Sequence, residues 1–138
     1  MTAHETLFCE TLDNQQRLAV PYEIYGLNFV RVESVIFDFA ARLCRDYDGA
    51  FWRFMLVSNG AFYACPAENK LFTVRCENGF EGTMSADAFG LTCVLYSTSH
   101  LSFDGSGKLA QACGEQHHLL RDWMAQHDEV RAILAAID

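Results

Sequence analysis

Phe51-Trp52-Arg53-Phe54-Met55-Leu56-Val57-Ser58-Asn59-Gly60-Ala61-Phe62-Tyr63-Ala64-Cys65-Pro66 is the stretch on which the fold turns. Its first seven residues are aromatic or aliphatic apart from Arg53, a composition that suits a pleated, buried surface. Asn59-Gly60 supplies the positive φ angles of a tight hairpin turn. Ala61 to Cys65 carries the chain back, and Pro66, with no N–H for a ladder, ends that strand. Working outward, Leu71-Phe72-Thr73-Val74-Arg75-Cys76 is a third apolar run after the loop Ala67-Glu68-Asn69-Lys70. The expectation is a three-stranded antiparallel meander. With Leu71 opposite Cys65, Cys76 falls opposite Gly60, so register gives no support for a Cys65–Cys76 bridge. Asn78-Gly79-Phe80-Glu81-Gly82 then reads as a two-glycine loop leading to a helix with Ser85 as its N-cap.

Upstream, Val32, Val35, Ile36, Phe39, Ala40, Leu43 and Tyr47 recur at three- and four-residue steps and predict a helix over about Arg31 to Asp46. On its polar side Asp38/Arg42 and Arg42/Asp46 are spaced to pair. Downstream, Ala86 to Leu101 is apolar nearly all round, the make-up of a central helix. Phe103-Asp104-Gly105-Ser106-Gly107 breaks the chain, a helix follows from about Lys108 to His127, and Asp128 caps a last one striped by Val130, Ile133, Leu134 and Ile137. Residues 1–16 are weakly patterned and read as a loose N-terminal arm or a short edge strand. Leu18-Ala19-Val20 before Pro21, then Tyr22 to Gly26, read as a short extended piece. The fold class is α+β: one domain over residues 1–138, with a small antiparallel sheet packed against about four helices.

The chain has 138 residues, 51% apolar and 20% charged, an ordinary composition for one globular domain. The N-terminus lacks the basic and apolar regions of a signal peptide, and no apolar run approaches a membrane span, so the expected location is the cytoplasm. Six cysteines stand singly, without a C-x-x-C pair, and read as reduced, buried thiols. Eighteen acidic against ten basic residues give a net charge of −8, which argues against a protein that grips phosphates with a basic face. Imitation of DNA needs about one negative charge per 1.7 Å of duplex axis. Here the acids are scattered from Glu5 to Asp138, with Arg42, Arg45, Arg53 and Arg75 among them.

No constellation for catalysis stands out. Pairing a cysteine with His100, His117 or His118 would make a nucleophile, but no cysteine-protease signature is present. Cys113 and His117 stand at i and i+4, two zinc ligands at most, with nothing to nominate two more. Asp46/Asp48 and Glu81/Asp87 lie beside glycine turns, where carboxylates serve as caps and turn formers. The loop at 78–82 matches neither phosphate-binding glycine pattern. Trp52, Phe54, Phe62, Tyr63 and Phe80 read as core packing rather than as a base-stacking platform. No catalytic residue, cofactor or metal is expected.

Three blocks carry a resemblance: Asp46-Tyr47-Asp48-Gly49 before Trp52; Ser58-Asn59-Gly60-Ala61-Phe62-Tyr63; and Asn78-Gly79-Phe80-Glu81-Gly82-Thr83-Met84-Ser85-Ala86-Asp87-Ala88-Phe89-Gly90. In order and spacing, over about Leu43 to Leu95, they resemble the ArdB/KlcA-type antirestriction proteins of plasmids, prophages and other mobile elements. Arg17-Leu18, the Pro21…Gly26 spacing and the close at Ala136-Ile137-Asp138 are similar to the family's ends. The resemblance implies a non-enzymatic inhibitor that relieves cleavage of incoming DNA by type I restriction–modification systems. Its partner would be the restriction complex, met without strong direct DNA binding, without a membrane and without dense DNA mimicry. On that reading Trp52, Asn59, Gly60, Asn78, Gly79, Phe80, Gly82 and Ser85 are a structural signature. The candidate contact surface is an exposed acidic rim of Asp46, Asp48, Glu81 and Asp87, with Asp138 as an outlier. The alternatives are an acidic DNA mimic and an uncatalogued enzyme using a Cys/His pair.

Overall fold

The computed structural model describes residues 5–104 and 107–138; of the break expected at 103–107, Gly105 and Ser106 lie outside the described residues, as do residues 1–4 of the N-terminal arm. The central hairpin forms where the sequence places it. Strands β2 (Trp52–Val57) and β3 (Phe62–Pro66) pair antiparallel, with Met55 opposite Tyr63 and Arg53 opposite Cys65. Gly60 turns between them at φ 95°. The third strand of that sheet is β1 (Cys9–Thr11), set on the other edge of β2 with Thr11 opposite Met55, so the order is β1-β2-β3. The run Leu71–Arg75 (β4) does not join it. It pairs instead with Glu81–Ser85 (β5) as a separate two-stranded sheet, Phe72 opposite Met84.

The small three-stranded antiparallel sheet is present as expected, but its third strand is corrected from β4 to β1, and the reason is that the outer edge of β3 is already covered. The side-chain amide of Gln116 takes the place of a neighbouring strand: it accepts from the Phe62 N–H at 2.8 Å and donates to the Gly60 carbonyl at 3.0 Å. Further along, Gly90 comes so close that a Cβ built on it would lie 2.2 Å from the Ala64 oxygen. Pro66 offers no N–H. The Leu71–Cys65 register therefore does not exist, and Cys65 in β3 and Cys76, just past the end of β4, are both free thiols. Residues 78–82 likewise form a hairpin turn running into β5, not a loop leading straight to a helix.

Among the described residues five helices surround the sheets: α1 (Asn14–Tyr25), α2 (Phe29–Leu43), α3 (Ala86–Asp104), α4 (Gly107–Ala125) and α5 (Val130–Ile137), with a 3-10 turn at Gly26–Asn28. Helix α1 stands where an extended piece is expected. A capping box starts it: Asp13 Oδ1 accepts from the Gln16 N–H at 2.8 Å, and Gln16 Oε1 accepts from the Asp13 N–H at 2.9 Å. Pro21 is carried inside the helix, on its buried side. Nor are residues 9–16 a loose arm, since β1 and the first turn of α1 lie within them. Arg17 pins α1 to the sheet, donating to the Trp52 carbonyl at 2.8 Å with its guanidinium 3.9 Å from the Phe54 ring centre. Helix α2 ends at Leu43, which leaves Asp46 in a turn, and Arg42 pairs with Glu77 at 3.3 Å.

Helix α3 is the central one, as its composition predicts. Ala88, Phe89, Leu91 and Cys93 are wholly buried, and Phe89 stacks on Phe72 of β4 with ring centres 4.8 Å apart. Its buried hydroxyls are satisfied within the helix, Thr92 donating to Ala88 O at 2.8 Å and Ser97 to Cys93 O at 2.7 Å. Ser85 caps it, its Oγ accepting from the Ala88 N–H at 3.1 Å. Trp52, Phe54, Phe62 and Tyr63 are buried in the core, whereas Phe80 is half-buried at its margin.

Candidate functional site

The two Asn-Gly turns are the same device used twice. Asn59 Oδ1 accepts from the Ala61 N–H at 3.0 Å, and Asn78 Oδ1 accepts from the Phe80 N–H at 2.9 Å, each closing an Asx turn. The glycines that follow hold φ 95° at Gly60 and 96° at Gly79. Each amide nitrogen then docks its hairpin on a helix. Asn59 Nδ2 donates to Leu119 O of α4 at 3.1 Å; Asn78 Nδ2 donates to Ala135 O and Ala136 O, at 3.0 and 3.1 Å, in the last turn of α5. Gly82 has another role: it lies in β5 opposite Val74, and a Cβ there would stand 3.0 Å from the Phe80 ring. Trp52 Nε1 donates to the Tyr47 hydroxyl at 2.8 Å, which anchors the segment between α2 and β2.

The docked β4–β5 hairpin leaves one face bare beside the end of α2. A groove of about 270 Å³ lies there, lined by Arg42, Arg45, Asp46, Thr73, Arg75 and Glu81. Arg75 Nη2 meets Glu81 Oε1 at 2.8 Å. Two of the expected rim residues, Asp46 and Glu81, thus share one groove with three arginines. Asp48 is exposed two residues beyond Asp46, and Asp138 is exposed at the end of α5. Asp87 is elsewhere and is not on an open rim.

Asp87 is half-buried at the first turn of α3, where it accepts from the Tyr63 hydroxyl at 3.0 and 3.1 Å and bonds His127 Nε2 at 2.8 Å. Trp123 Nε1 donates to the same hydroxyl at 3.3 Å. His127 Nδ1 accepts from the Glu129 N–H at 3.0 Å, so the ring proton sits on Nε2 and points at Asp87. Glu129 in turn bonds both the backbone N–H and the hydroxyl of Ser85. A His–Asp pair can activate a nucleophile only through the second ring nitrogen, and here that nitrogen is taken. Burial, and then Asp87, holds the Tyr63 phenol far above the ordinary tyrosine range. The network fastens the α4–α5 joint to the start of α3.

The thiol readings fare no better. Burial pushes Cys113 up to about 11, and burial followed by Asp87 pushes Cys65 up to about 11, which keeps both as neutral thiols. Cys113 is wholly buried, while His117 is half-buried and bonded through Nδ1 to the Thr98 hydroxyl at 2.9 Å. Among the described residues, no group of three His, Cys, Asp or Glu side chains is arranged to hold a metal ion, and no helix is long and apolar enough to cross a membrane. Sequence reasoning missed the roles of Gly90 and Gln116, which act through partners distant in the chain. The repeated Asn-Gly pair was the visible signal for a second hairpin.

Comparison with known proteins agrees with this arrangement. The family model described as antirestriction protein matches residues 45–138, the part that begins just after α2. Antirestriction protein KlcA of Escherichia coli is 36% identical over 114 residues, 81% of this chain and 78% of its own. The putative antirestriction protein YubI of Escherichia coli strain K12 is 31% identical over 126 residues, 86% of each chain. A solved structure from work on the KlcA and ArdB proteins, whose fold was found to be novel, superposes with a TM-score of 0.89 at 30% identity, covering 100% of this chain and 99% of the other. By the family model over residues 45–138 and by these relatives, the chain belongs to the antirestriction protein family.

Proposed function

We propose that this protein relieves the attack of type I restriction–modification systems on incoming DNA by engaging the restriction complex, without imitating DNA. The observation that carries this reading is the charge arrangement at the groove between α2 and the β4–β5 hairpin. A DNA mimic needs rows of free carboxylates at phosphate-like spacing. In this groove Glu81 is bound to Arg75 at 2.8 Å, Glu77 beside it is bound to Arg42 at 3.3 Å, and Arg45 flanks Asp46. A surface of alternating sign suits a protein partner of complementary pattern, where charges set orientation and specificity. Support also comes from the KlcA and ArdB proteins, whose antirestriction activity against type I DNA restriction systems is found in vivo but not in vitro. For this chain the corresponding reading is an action on the restriction complex as it works in the cytoplasm, with residues 1–138 acting as one domain. Asp46, Asp48, Glu81 and Asp138 are its candidate contacts. Asp87 acts as a positioning residue for the α4–α5 joint.

Two measurements test this. Unmodified phage should plate better on a type I host expressing the protein and equally on a host lacking the system; Asp46→Asn with Glu81→Gln should reduce that relief. In a binding assay with a purified specificity subunit and its recognition duplex, added protein should leave the duplex bound. Stoichiometric displacement of the duplex, abolished by moderate salt, would overturn the proposal in favour of mimicry.

A further inference from the structure

The three-stranded sheet has a second edge, at β1, and the direction of its backbone groups follows from the ladder. The Ser58 N–H donates to Phe8 O at 2.7 Å and the Leu12 N–H to Phe54 O at 2.8 Å, so Phe8 and Leu12 are hydrogen-bonded to β2. Bonded and non-bonded pairs alternate along an antiparallel ladder, and Cys9 stands opposite Val57 and Thr11 opposite Met55. The N–H and carbonyl of Cys9 and of Thr11 therefore point away from β2. On either side the edge is closed. The Gln126 amide accepts from the Leu7 N–H at 2.9 Å and donates to Glu5 O at 2.8 Å, and Gln16 Oε1 accepts from the Asp13 N–H at 2.9 Å. Between these closures, among the described residues, no hydrogen bond reaches the outward groups of Cys9 and Thr11.

The side chains decide what can lie along this window. Those of Cys9 and Thr11 turn onto one face of the sheet, where they meet the Tyr63 hydroxyl and the Met55 sulfur, each at 3.5 Å. Phe8 and Glu10 stand on the other face. Phe8 is 70% exposed, and Glu10 is exposed with no basic partner among the described residues. A second copy of the chain is a poor occupant. Pairing two β1 strands about a two-fold axis so that both residues of the window are used sets Glu10 directly against Glu10, and like charges across a strand pair repel. A strand with a lysine or arginine at that place gains an opposite-charge pair instead, and an aromatic residue two positions further on meets Phe8.

We propose that the open edge of β1 is a docking site for an extended segment of a partner protein, which adds to the sheet as an antiparallel fourth strand with a basic residue facing Glu10. The main chain of Cys9 and Thr11 holds the segment, and Glu10 and Phe8 choose it. The site is on the other sheet from the groove at Arg75 and Glu81, and it stands whether or not that groove meets a restriction complex.

The probe is the acetylated and amidated peptide Ser-Val-Lys-Val-Phe, titrated into the isotopically labelled full chain and followed by amide chemical shifts. Saturable shifts should centre on Cys9, Glu10 and Thr11, with the amide protons of Cys9 and Thr11 moving downfield as they gain acceptors. N-methylation of both valines removes the N–H groups that reach Cys9 O and Thr11 O and should abolish binding. N-methylation of the lysine, whose N–H points away from the sheet, should spare it. A peptide with glutamate in place of the lysine should bind at least about threefold more weakly, and Glu10→Lys should reverse that order. Absence of saturable shifts, equal binding of the valine-methylated peptide, no charge preference, or shifts centred on Leu71 to Arg75 would each overturn the assignment. So would a dimer in sedimentation that Thr11→Pro converts to monomer, because the edge would then belong to a second copy.

Discussion

The two hairpins of this protein begin from the same turn and end as different things. Asn59-Gly60 and Asn78-Gly79 share the Asx hydrogen bond, the positive φ and the amide bridge to a helix carbonyl. Beyond the turn they part. Every residue of β3 is buried, whereas in β4 the exposed Leu71, Thr73 and Arg75 alternate with buried Phe72 and Val74. The first hairpin is covered on both faces and along its outer edge; the second has one face against α3 and one open. A turn thus specifies a hairpin, but neighbours decide whether it becomes scaffold or surface. The stretch matched by the family model supplies both in succession, one hairpin enclosed and one with an open face.

The contrast can be broken most forcefully at Gly90. Gly90→Ala places a Cβ 2.2 Å from Ala64 O and 2.4 Å from Cys65 Cα, against backbone that cannot move aside. A loss of about 3 kcal/mol or more in urea unfolding is expected, or no folded protein at all. Gln116→Ala comes next. It strips the strand-like partner from Phe62 N–H and Gly60 O, and should cost about 2 to 3 kcal/mol by the same measurement. If β3 were an ordinary open edge, water would replace the amide and the cost would vanish.

The turns themselves sharpen the comparison. Gly60→Ala and Gly79→Ala should each cost about 1–2 kcal/mol, because both glycines hold a φ that side chains avoid and a Cβ at either would meet nothing closer than 3.9 Å. Costs that differ by more than about 1 kcal/mol would mean that the two turns are not one device. The smallest effect belongs to the open face. Arg75→Ala removes an exposed ion pair with Glu81 and should leave the thermal midpoint where it was. A clear fall would show that the pair holds the second hairpin together.

Local chemistry was legible from the residues. Asn59-Gly60, the stop at Pro66, the cap at Ser85 and the apolar girth of α3 all act within a few positions, so the sequence displays them directly. The reading of β4 as a third strand failed because what excludes it, Gln116 and Gly90, reaches β3 from 54 and 26 positions away from Phe62 and Ala64. A polar glutamine on a predicted helix gives no sign that it will imitate a strand. Helix α1 was misread for a different reason: Pro21 suggested a break, while the Asp13…Gln16 spacing of a capping box was present and outweighed it. Of the acidic rim, Asp46 and Glu81 do meet in one groove, but Asp87 is turned inward by Tyr63 and His127, partners that only the folded chain supplies.

The seal on β3 also sets an order of events during synthesis. Phe62 leaves the ribosome 54 residues ahead of Gln116, and Leu7 leaves 119 ahead of the Gln126 amide that accepts its N–H at 2.9 Å. Until α4 emerges, the apolar β2–β3 hairpin presents a raw strand edge, the kind of template on which nascent chains self-associate. A chain cut short before Gln116 lacks the amide that closes this edge and the helix carbonyls on which both Asn-Gly turns dock, and is expected to self-associate where the full chain does not, as sedimentation of the two would show.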